Sequence, residues 1–274
     1  MPHTRRSVLA FGAALAGGAM APESRAQPSQ GLRLRGRFTQ GGWCVGRAAP
    51  DAPLFVDGKP YGRADARGLF YVGFDRDAPA RTVIACAGRT QSLAIAPVTY
   101  DVQRVDGLPP DTVTPQGREL LDRIGREWLL KNRAFASLYD SDDFANGFIW
   151  PLKKFVVSGH FGNQRILNGV PKSPHMGFDM AAPTGTPIHA PQAGRVVLAQ
   201  PDMFYEGGLT FIDHGQGVIS MYLHQSAVLV AAGQRVRQGQ LIGRVGDRGR
   251  ATGPHLCWRL KWRDRHLDPS LMVL

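Results

Sequence analysis

Apolar and polar side chains alternate without a break near the C-terminal end of the chain. Leucine or tryptophan occupies positions 256, 258, 260 and 262, whereas cysteine, arginine and lysine occupy the positions between them. This period of two predicts a β-strand with one packed face. On such a strand, the side chains of His255 and Cys257 point to the same side, opposite to the tryptophans.

Short apolar runs separated by glycine and proline extend over the rest of residues 148–274. We expect these runs to form an antiparallel β-sheet that curves around a groove. Residues 27–110 show a similar spacing of short runs and turn residues, which predicts a small, sandwich-like β module. The fold class is therefore mainly β, with a module of structural or binding function ahead of the C-terminal region.

A helical pattern separates the two β-rich regions, within residues 111–147. Thr114 followed by Pro115 is typical of a helix start, and apolar residues then recur at helical spacing up to Tyr139. The apolar stripe consists of Leu120, Leu121, Ile124, Trp128, Phe135 and Leu138. We expect this stripe to pack against the protein, so that the helix connects the two β-rich regions.

The first 26 residues have the pattern of an export signal. Arg5 and Arg6 precede an apolar run of small residues, and Ser24 and Ala26 provide small side chains ahead of a cleavage site before Gln27. The paired arginines resemble a twin-arginine signal, and an ordinary secretory signal is the alternative. Either route leads to the periplasm or the cell envelope. No later stretch is long and apolar enough to predict a transmembrane helix.

The formal net charge of the chain is +11, and its pI is about 10.1. Such a surplus favours an anionic partner. Arginine and lysine are scattered along the chain instead of forming a basic block, which does not indicate a nucleic-acid partner. An anionic membrane or an anionic polymer is compatible with this charge.

Five side chains with metal-binding or acid–base chemistry lie in the C-terminal region. They are His175, Asp179, His224, His255 and Cys257. Imidazole, carboxylate and thiolate bind Zn²⁺ well, and a catalytic zinc site commonly has three protein ligands and one open position. The five groups therefore suffice for one zinc ion per chain and two further histidines for hydrolysis.

In these stretches the sequence resembles the lysostaphin/LytM-like zinc metallopeptidases, a family of murein endopeptidases. The resemblance covers most of residues 150–270, in the order and at the intervals of the family. It rests on G-N-Q-R at 162–165, residues 175–194, I-D-H-G at 212–215, M-Y-L-H at 221–224, and residues 236–246 and 249–256. The resemblance implies that His175 and Asp179 are zinc ligands and that His224 and His255 are catalytic.

One position differs from the family pattern. The H-x-H motif that closes the family's site reads His255-Leu256-Cys257 in this chain, so the third zinc ligand would be the thiolate of Cys257. A zinc–sulfur bond is about 2.3 Å long, compared with about 2.0–2.1 Å for zinc–nitrogen. Because a thiolate donates more charge than an imidazole, we expect the zinc ion to be a weaker Lewis acid.

The resemblance implies that zinc-activated water hydrolyses peptide cross-links or stem peptides of peptidoglycan. We expect His255 to be the general base, and His224 or its neighbour Tyr222 to donate a hydrogen bond to the developing oxyanion. Arg165 and Asn163 would lie in the groove wall and orient the substrate. Peptidoglycan is then the partner, and the N-terminal module offers a surface for a cell-wall or division protein.

The cysteines of an exported protein need separate consideration. Cys44 and Cys86 both lie in the N-terminal β-rich region and are the expected disulfide pair. Cys257 then remains for zinc. A disulfide between Cys257 and either of the other two would instead join the two regions and destroy the site.

Two other functions stay open. A family member that has lost its metal would be a non-enzymatic regulator that activates another cell-wall hydrolase, and Cys257 in place of histidine favours this alternative. The four remaining site residues favour the enzyme. A cysteine hydrolase that pairs Cys257 with His255 or His224 is the third hypothesis. It lacks a residue to orient the pair, and two side chains on one strand face fit shared metal ligation better.

Overall fold

Residues 31–274, which the computed structural model of the chain describes, are mainly β, as the sequence predicts. They form twenty strands in four sheets, two α-helices and two 3₁₀ turns. The predicted export signal, residues 1–26, lies outside the described residues. Within residues 31–274, no helix has the length and hydrophobicity that crossing a bilayer requires.

Two antiparallel sheets form the N-terminal region, in agreement with the predicted β module. Their strands are β1 (Arg33–Arg37), β2 (Trp43–Arg47), β3 (Pro53–Val56), β4 (Lys59–Arg63), β5 (Leu69–Gly73), β6 (Arg81–Cys86) and β7 (Arg89–Ala94). The first sheet has the order β1-β2-β5, and the second has the order β4-β3-β6-β7.

A small sheet links the two regions. Its strands are β8 (Val102–Val105), β10 (Gln164–Leu167) and β11 (Val170–Pro171). β8 pairs in parallel with β10, which pairs antiparallel with β11. Residues assigned to the N-terminal module by their sequence therefore supply a strand to the C-terminal region.

A ten-stranded antiparallel sheet forms most of the C-terminal region. Its strands are β9 (Val156–Gly159), β12 (Phe178–Ala181), β13 (Pro187–His189), β14 (Gly194–Met203), β15 (Gly207–Asp213), β16 (Val218–Val228), β17 (Arg235–Val236), β18 (Leu241–Val245), β19 (His255–Trp262) and β20 (Arg265–Leu267). Its main path runs β17-β14-β15-β16-β19-β12-β9. β19 is the strand predicted from the alternating pattern, and its leucines and tryptophans are fully buried.

The helical segment differs from its prediction in its limits. α1 (Pro110–Val113) is a single turn, and α2 (Arg118–Phe135) begins after Gly117. The predicted start at Thr114 and Pro115 is wrong, because Thr114 ends α1. Gly117, with φ +85°, then sets the direction of the chain into α2.

α2 exposes much of its apolar stripe, contrary to the prediction that this stripe packs. Leu121 is 51% exposed and Trp128 is 58% exposed. The buried side of the helix carries Glu127, whose carboxylate accepts hydrogen bonds from Arg123 Nε at 2.7 Å and from the Phe204 backbone N–H at 2.9 Å. The contact from Glu127 holds the middle of the helix at the end of β14, whereas Ala134 and Phe135 in its last turn pack against the sheet.

One core extends from the N-terminal sheets into the ten-stranded sheet. The ring of Tyr71 on β5 lies 6.1 Å from the rings of both Trp43 and Trp262. Trp43 Nε1 also donates a hydrogen bond to the carbonyl of Leu271, at 2.9 Å. The N-terminal sheets are thus packed directly on β19, in addition to their covalent connection through the helical segment.

The cysteines do not form the expected disulfide. Cys44, Cys86 and Cys257 are all free and buried. Cys44 lies on β2 and Cys86 on β6, in different sheets, and Cys86 Sγ contacts the carbonyl of Ala52 at 3.8 Å. Both N-terminal cysteines serve as small core side chains, and burial raises the pKa of the Cys44 thiol well above its usual range.

Candidate metal centre and active site

Strand pairing and one loop bring the three predicted metal ligands together. Asp179 on β12 lies directly opposite Cys257 on β19, so their side chains share a face of the sheet. His175 precedes β12, and its Nε2 atom lies 3.1 Å from Asp179 Oδ1 and 3.3 Å from Cys257 Sγ. Nitrogen, oxygen and sulfur donors thus face one point.

The three side chains fit a zinc ion. Tetrahedral zinc with ligands at about 2.0–2.3 Å requires ligand atoms roughly 3.3–3.7 Å apart, and the donors of His175, Asp179 and Cys257 all lie within 4.8 Å of one another. The buried Oδ1 atom of Asp179 has no hydrogen-bond partner. Gly177 keeps the space open, because a Cβ atom there would lie 2.8 Å from Cys257 Sγ.

Charges around the ligands favour an ionised aspartate. Burial opposes ionisation of Asp179, but His175 and Arg165 outweigh it and hold the pKa of this carboxyl well below its usual range. Arg165 Nη2 donates to Asp179 Oδ2 at 2.6 Å. Burial, and then the charge of Asp179, raise the pKa of the Cys257 thiol to about 12, whereas a bound cation would favour the thiolate.

The two predicted catalytic histidines lie beside this cluster. The rings of His224 and His255 are 4.6 Å apart, centroid to centroid, and His255 Nε2 lies 3.9 Å from Asp179 Oδ1. Burial, and then the proximity of His255, lower the pKa of His224 to about 3. At neutral pH, His224 is therefore uncharged.

Backbone carbonyls fix the tautomer of all three histidines. Nδ1 of His175 lies 3.2 Å from the carbonyl oxygen of residue 160, Nδ1 of His224 lies 2.8 Å from that of residue 248, and Nδ1 of His255 lies 2.9 Å from that of residue 253. Because a carbonyl oxygen only accepts, each Nδ1 must carry the proton. In its neutral form, each ring then presents a bare Nε2 lone pair.

Tyr222 does not share a face with His224, although the period of two along a regular strand would place the two side chains on the same side. Tyr222 pairs with Trp258, on the core side of β19, and its buried hydroxyl lies 2.7 Å from Ser220 Oγ. His224 has a φ of +64°, an uncommon value for a residue with a side chain. This local break in the strand turns His224 away from the alternation that would place it with Tyr222.

The structure separates the two residues predicted for the groove wall. Arg165 on β10 contacts Asp179, as described. The side-chain oxygen of Asn163 instead accepts a hydrogen bond from the Asp101 backbone N–H at 3.1 Å, and its carbonyl accepts one from the His175 N–H at 2.8 Å. Asn163 therefore positions the loop that carries His175 and does not face the groove.

Two cavities border the ligand cluster. The first, of about 90 Å³, contains Asp179 and His255, and the second, of about 270 Å³, contains His175 and Arg259. Both are lined by Arg165 and Arg250.

Two arginines at these cavities have no role in the sequence-based hypothesis. Arg259 donates from Nε to Cys257 Sγ at 3.4 Å. The alternating pattern places Arg259 and Cys257 on the same face of the strand and could have indicated this contact. No comparable signal marks Arg250, which lies in an irregular segment.

The sequence is similar to those of known peptidases. The sequence model described as peptidase family M23 matches residues 173–269. The peptidoglycan DD-endopeptidase ShyA of Vibrio cholerae is 42% identical over 117 residues, which are 42% of this chain and 27% of that protein. A metalloprotease of Haemophilus influenzae, described as uncharacterized, is 35% identical over 172 residues, which are 60% of this chain and 36% of that protein.

Solved structures show a similar fold. A peptidase M23 from Pseudomonas aeruginosa, described as putative, superimposes with a TM-score of 0.64 at 28% identity. The superposition covers 86% of this chain and 95% of the other. By contrast, the chain spans only about a third or less of the length of the two relatives compared above by sequence.

Proposed function

Because the chain belongs to peptidase family M23 through residues 173–269, we propose that it is an exported zinc metalloendopeptidase that hydrolyses peptide bonds of peptidoglycan. One observation carries the proposal: three bare imidazole Nε2 atoms lie beside the carboxylate of Asp179 and the thiol of Cys257. The printed functions of relatives such as ShyA supply the substrate class.

His175, Asp179 and Cys257 would hold the zinc ion. The bound ion would polarise the scissile carbonyl and lower the pKa of a water molecule. Second contacts orient two of the ligands: the backbone carbonyl of residue 160 holds His175, and Arg259 Nε donates to the sulfur of Cys257. Such contacts fix the direction of a ligand's lone pair.

His255 is the proposed general base. Its Nδ1 proton is committed to the carbonyl of Gly253, so Nε2 is free to accept a proton from the attacking water. The same atom can then return that proton to the leaving amine. The neighbouring ring of His224 offers a second acceptor, which orients the water through its other proton.

This assignment revises the hypothesis that His224 or Tyr222 donates to the oxyanion. A neutral His224 with its proton on Nδ1 has no donor left at Nε2, and the hydroxyl of Tyr222 is engaged with Ser220. We therefore propose that His224 positions the water molecule. We assign no role as oxyanion donor to Tyr222.

A regulator without hydrolytic activity is the alternative. Its motivation is Cys257 in the place of a histidine, but regulation alone does not require two further histidines beside the three grouped side chains. Export is supported by the signal pattern in residues 1–26. A cell-wall or division protein on the N-terminal sheets remains part of the proposal.

The test uses protein without residues 1–26, loaded with zinc and incubated with purified peptidoglycan. Chromatography and mass spectrometry of the muropeptides should show that cross-linked species decrease while their peptide fragments increase. The His255→Ala variant should release no peptide fragments above the background. Intact cross-links after incubation with zinc-loaded wild-type protein would contradict the proposal and favour the regulator.

A further inference from the structure

The larger cavity beside the ligand cluster is lined by positively charged side chains, and we refer to it as the arginine cavity. It has a volume of about 270 Å³, and its charged or titratable lining consists of Arg165, Lys172, His175, Arg250, Arg259 and His266. Neither aspartate nor glutamate is among the described residues that line it. A cavity of this composition attracts an anion.

Local acidic groups do not compensate these charges. Glu206 acts on Arg250 and Arg259, but its carboxylate is paired with Lys131 at 2.5 Å. Arg165 contacts Asp179 at 2.6 Å, but Asp179 and a Cys257 thiolate together carry only the two negative charges that neutralise a zinc ion. With zinc bound, the positive charges of Arg165, Arg250 and Arg259 therefore remain in excess.

Arg250 is the least committed of the three arginines. Its guanidinium lies 5.0 Å from the centre of the Tyr205 ring, and Nη1 donates a long hydrogen bond of 3.4 Å to the Thr112 carbonyl. It has no carboxylate partner within residues 31–274 at salt-bridge distance. Burial, and then the charges of Arg259 and Arg165, lower its pKa, which shows how closely the cations are crowded.

A neutral group completes the cavity wall. Burial lowers the pKa of His266 to about 4, so this ring is uncharged at neutral pH. Its Nδ1 atom is buried without a hydrogen-bond partner. The cavity thus combines excess guanidinium charge with an uncharged histidine, at a wall that also contains His175.

We propose that the arginine cavity binds a carboxylate that the substrate carries next to the scissile amide, with Arg250 as the specificity-determining residue. Guanidinium matches carboxylate geometry with two parallel hydrogen bonds. The inference rests on the proposed hydrolysis and deepens it: the enzyme selects peptides with a free carboxylate at this position over peptides with a carboxamide.

The experiment compares two synthetic cross-linked peptides that differ only in this group, one as the free acid and the other as the amide. Zinc-loaded wild-type protein should show a kcat/KM roughly ten- to a hundredfold higher for the acid. Arg250→Gln should reduce this ratio to about threefold or less. We choose Arg250 because Arg165 and Arg259 contact metal ligands.

Arg244→Gln is the matched control. Arg244 lies on β18 and donates to the carbonyl of Gly185, away from both cavities, so its substitution should leave the ratio at the wild-type value. Equal cleavage of acid and amide by wild-type protein would overturn the proposal and leave hydrolysis standing. An equal loss on both peptides in Arg250→Gln would also overturn it, since that result indicates a structural role.

Calorimetry on the metal-free protein separates this proposal from the proposed function. If neither peptide is cleaved, the proposed hydrolysis is contradicted. The affinities of the two peptides still test the role of the arginine cavity. Tighter binding of the acid peptide than of the amide, abolished in Arg250→Gln, supports the cavity. Equal affinity, or no binding of either peptide, overturns it.

Discussion

The Nε2 atom of His175 lies 3.3 Å from the Sγ atom of Cys257, although 82 residues separate them in the sequence. The antiparallel pairing of β12 with β19 creates this proximity, since it places Asp179 opposite Cys257 and leads the preceding loop back over the strand. The thiol of Cys257 therefore lies where the proposed metal site requires its third ligand, at the edge of a buried apolar cluster.

The first prediction concerns metal content. Wild-type protein lacking residues 1–26 should contain one zinc ion per chain by elemental analysis. Cys257→Ser should lose it, because a hydroxyl is a poor zinc ligand, whereas Cys257→His should retain it. Absence of zinc from wild-type protein reconstituted with the metal would contradict the assignment of Cys257 as a ligand.

The second prediction separates the catalytic histidines from the ligands. His255→Ala should lower kcat by about 10²–10⁴-fold while zinc remains bound, because Nε2 of His255 accepts the proton and does not hold the metal. His224→Ala should also lower kcat with zinc retained. His189→Ala, on β13 and outside both cavities, is the control and should leave kcat unchanged. Loss of zinc from His255→Ala would mean that the ligand and the base have been exchanged.

The third prediction tests which face of α2 is packed. Glu127→Ala should lower the free energy of unfolding by about 1–3 kcal/mol, because it leaves the partly buried N–H of Phe204 without its acceptor. Trp128→Ser should change it by no more than about 0.5 kcal/mol, because Trp128 is exposed. Urea denaturation measures the free energy of unfolding of both variants. A larger loss of stability in Trp128→Ser than in Glu127→Ala would show that the apolar stripe packs.

The fourth prediction is a loss of stability in mild acid. His214 is fully buried, its Nδ1 donates to the carbonyl of Ala193 at 2.6 Å, and its Nε2 lies 2.7 Å from Ser220 Oγ. Burial lowers its pKa to about 4, compared with about 6.5 in the unfolded chain. The unfolded state therefore binds more protons between these values, and stability falls as the pH drops from about 6.5 to 4.

The size of this effect follows from the same shift. His214 should contribute up to about 3 kcal/mol to the free energy of unfolding. This contribution is present above pH 6.5 and is lost towards pH 4. Urea denaturation of metal-free protein at several pH values measures it, and the absence of metal avoids a contribution from proton-coupled metal release. His214→Gln should show a shallower dependence on pH. Constant wild-type stability from pH 7 to 4.5 would exclude the effect.

Much of the site was predictable because its signals are local. The alternation in residues 255–262 alone predicts that His255 and Cys257 share a face, and strand β19 confirms the pattern. The same rule failed for Tyr222 and His224, because a single residue with φ +64° reverses the side on which His224 points. Such a break depends on tertiary contacts and leaves no mark in the hydrophobic pattern.

Features formed by distant segments were not predictable from local patterns. The apolar stripe of α2 correctly predicts a helix, but it does not determine which neighbour the helix meets, and Glu127 faces the sheet instead of Trp128. The arginine cavity likewise joins side chains from β10, β19 and the segment that carries Arg250. Their proximity follows from the fold and from no spacing in the sequence.

The parallel pairing of β8 with β10 makes the groove a product of two regions of the chain. Gln103, Val105 and Leu108 line the smaller cavity beside Asp179 and His255, yet they lie far upstream of the family match at residues 173–269. A fragment cut at the family boundary would retain every metal ligand and lack one wall. Substrate choice can therefore diverge between relatives through exchange of this upstream segment, while the residues that perform the chemistry stay the same.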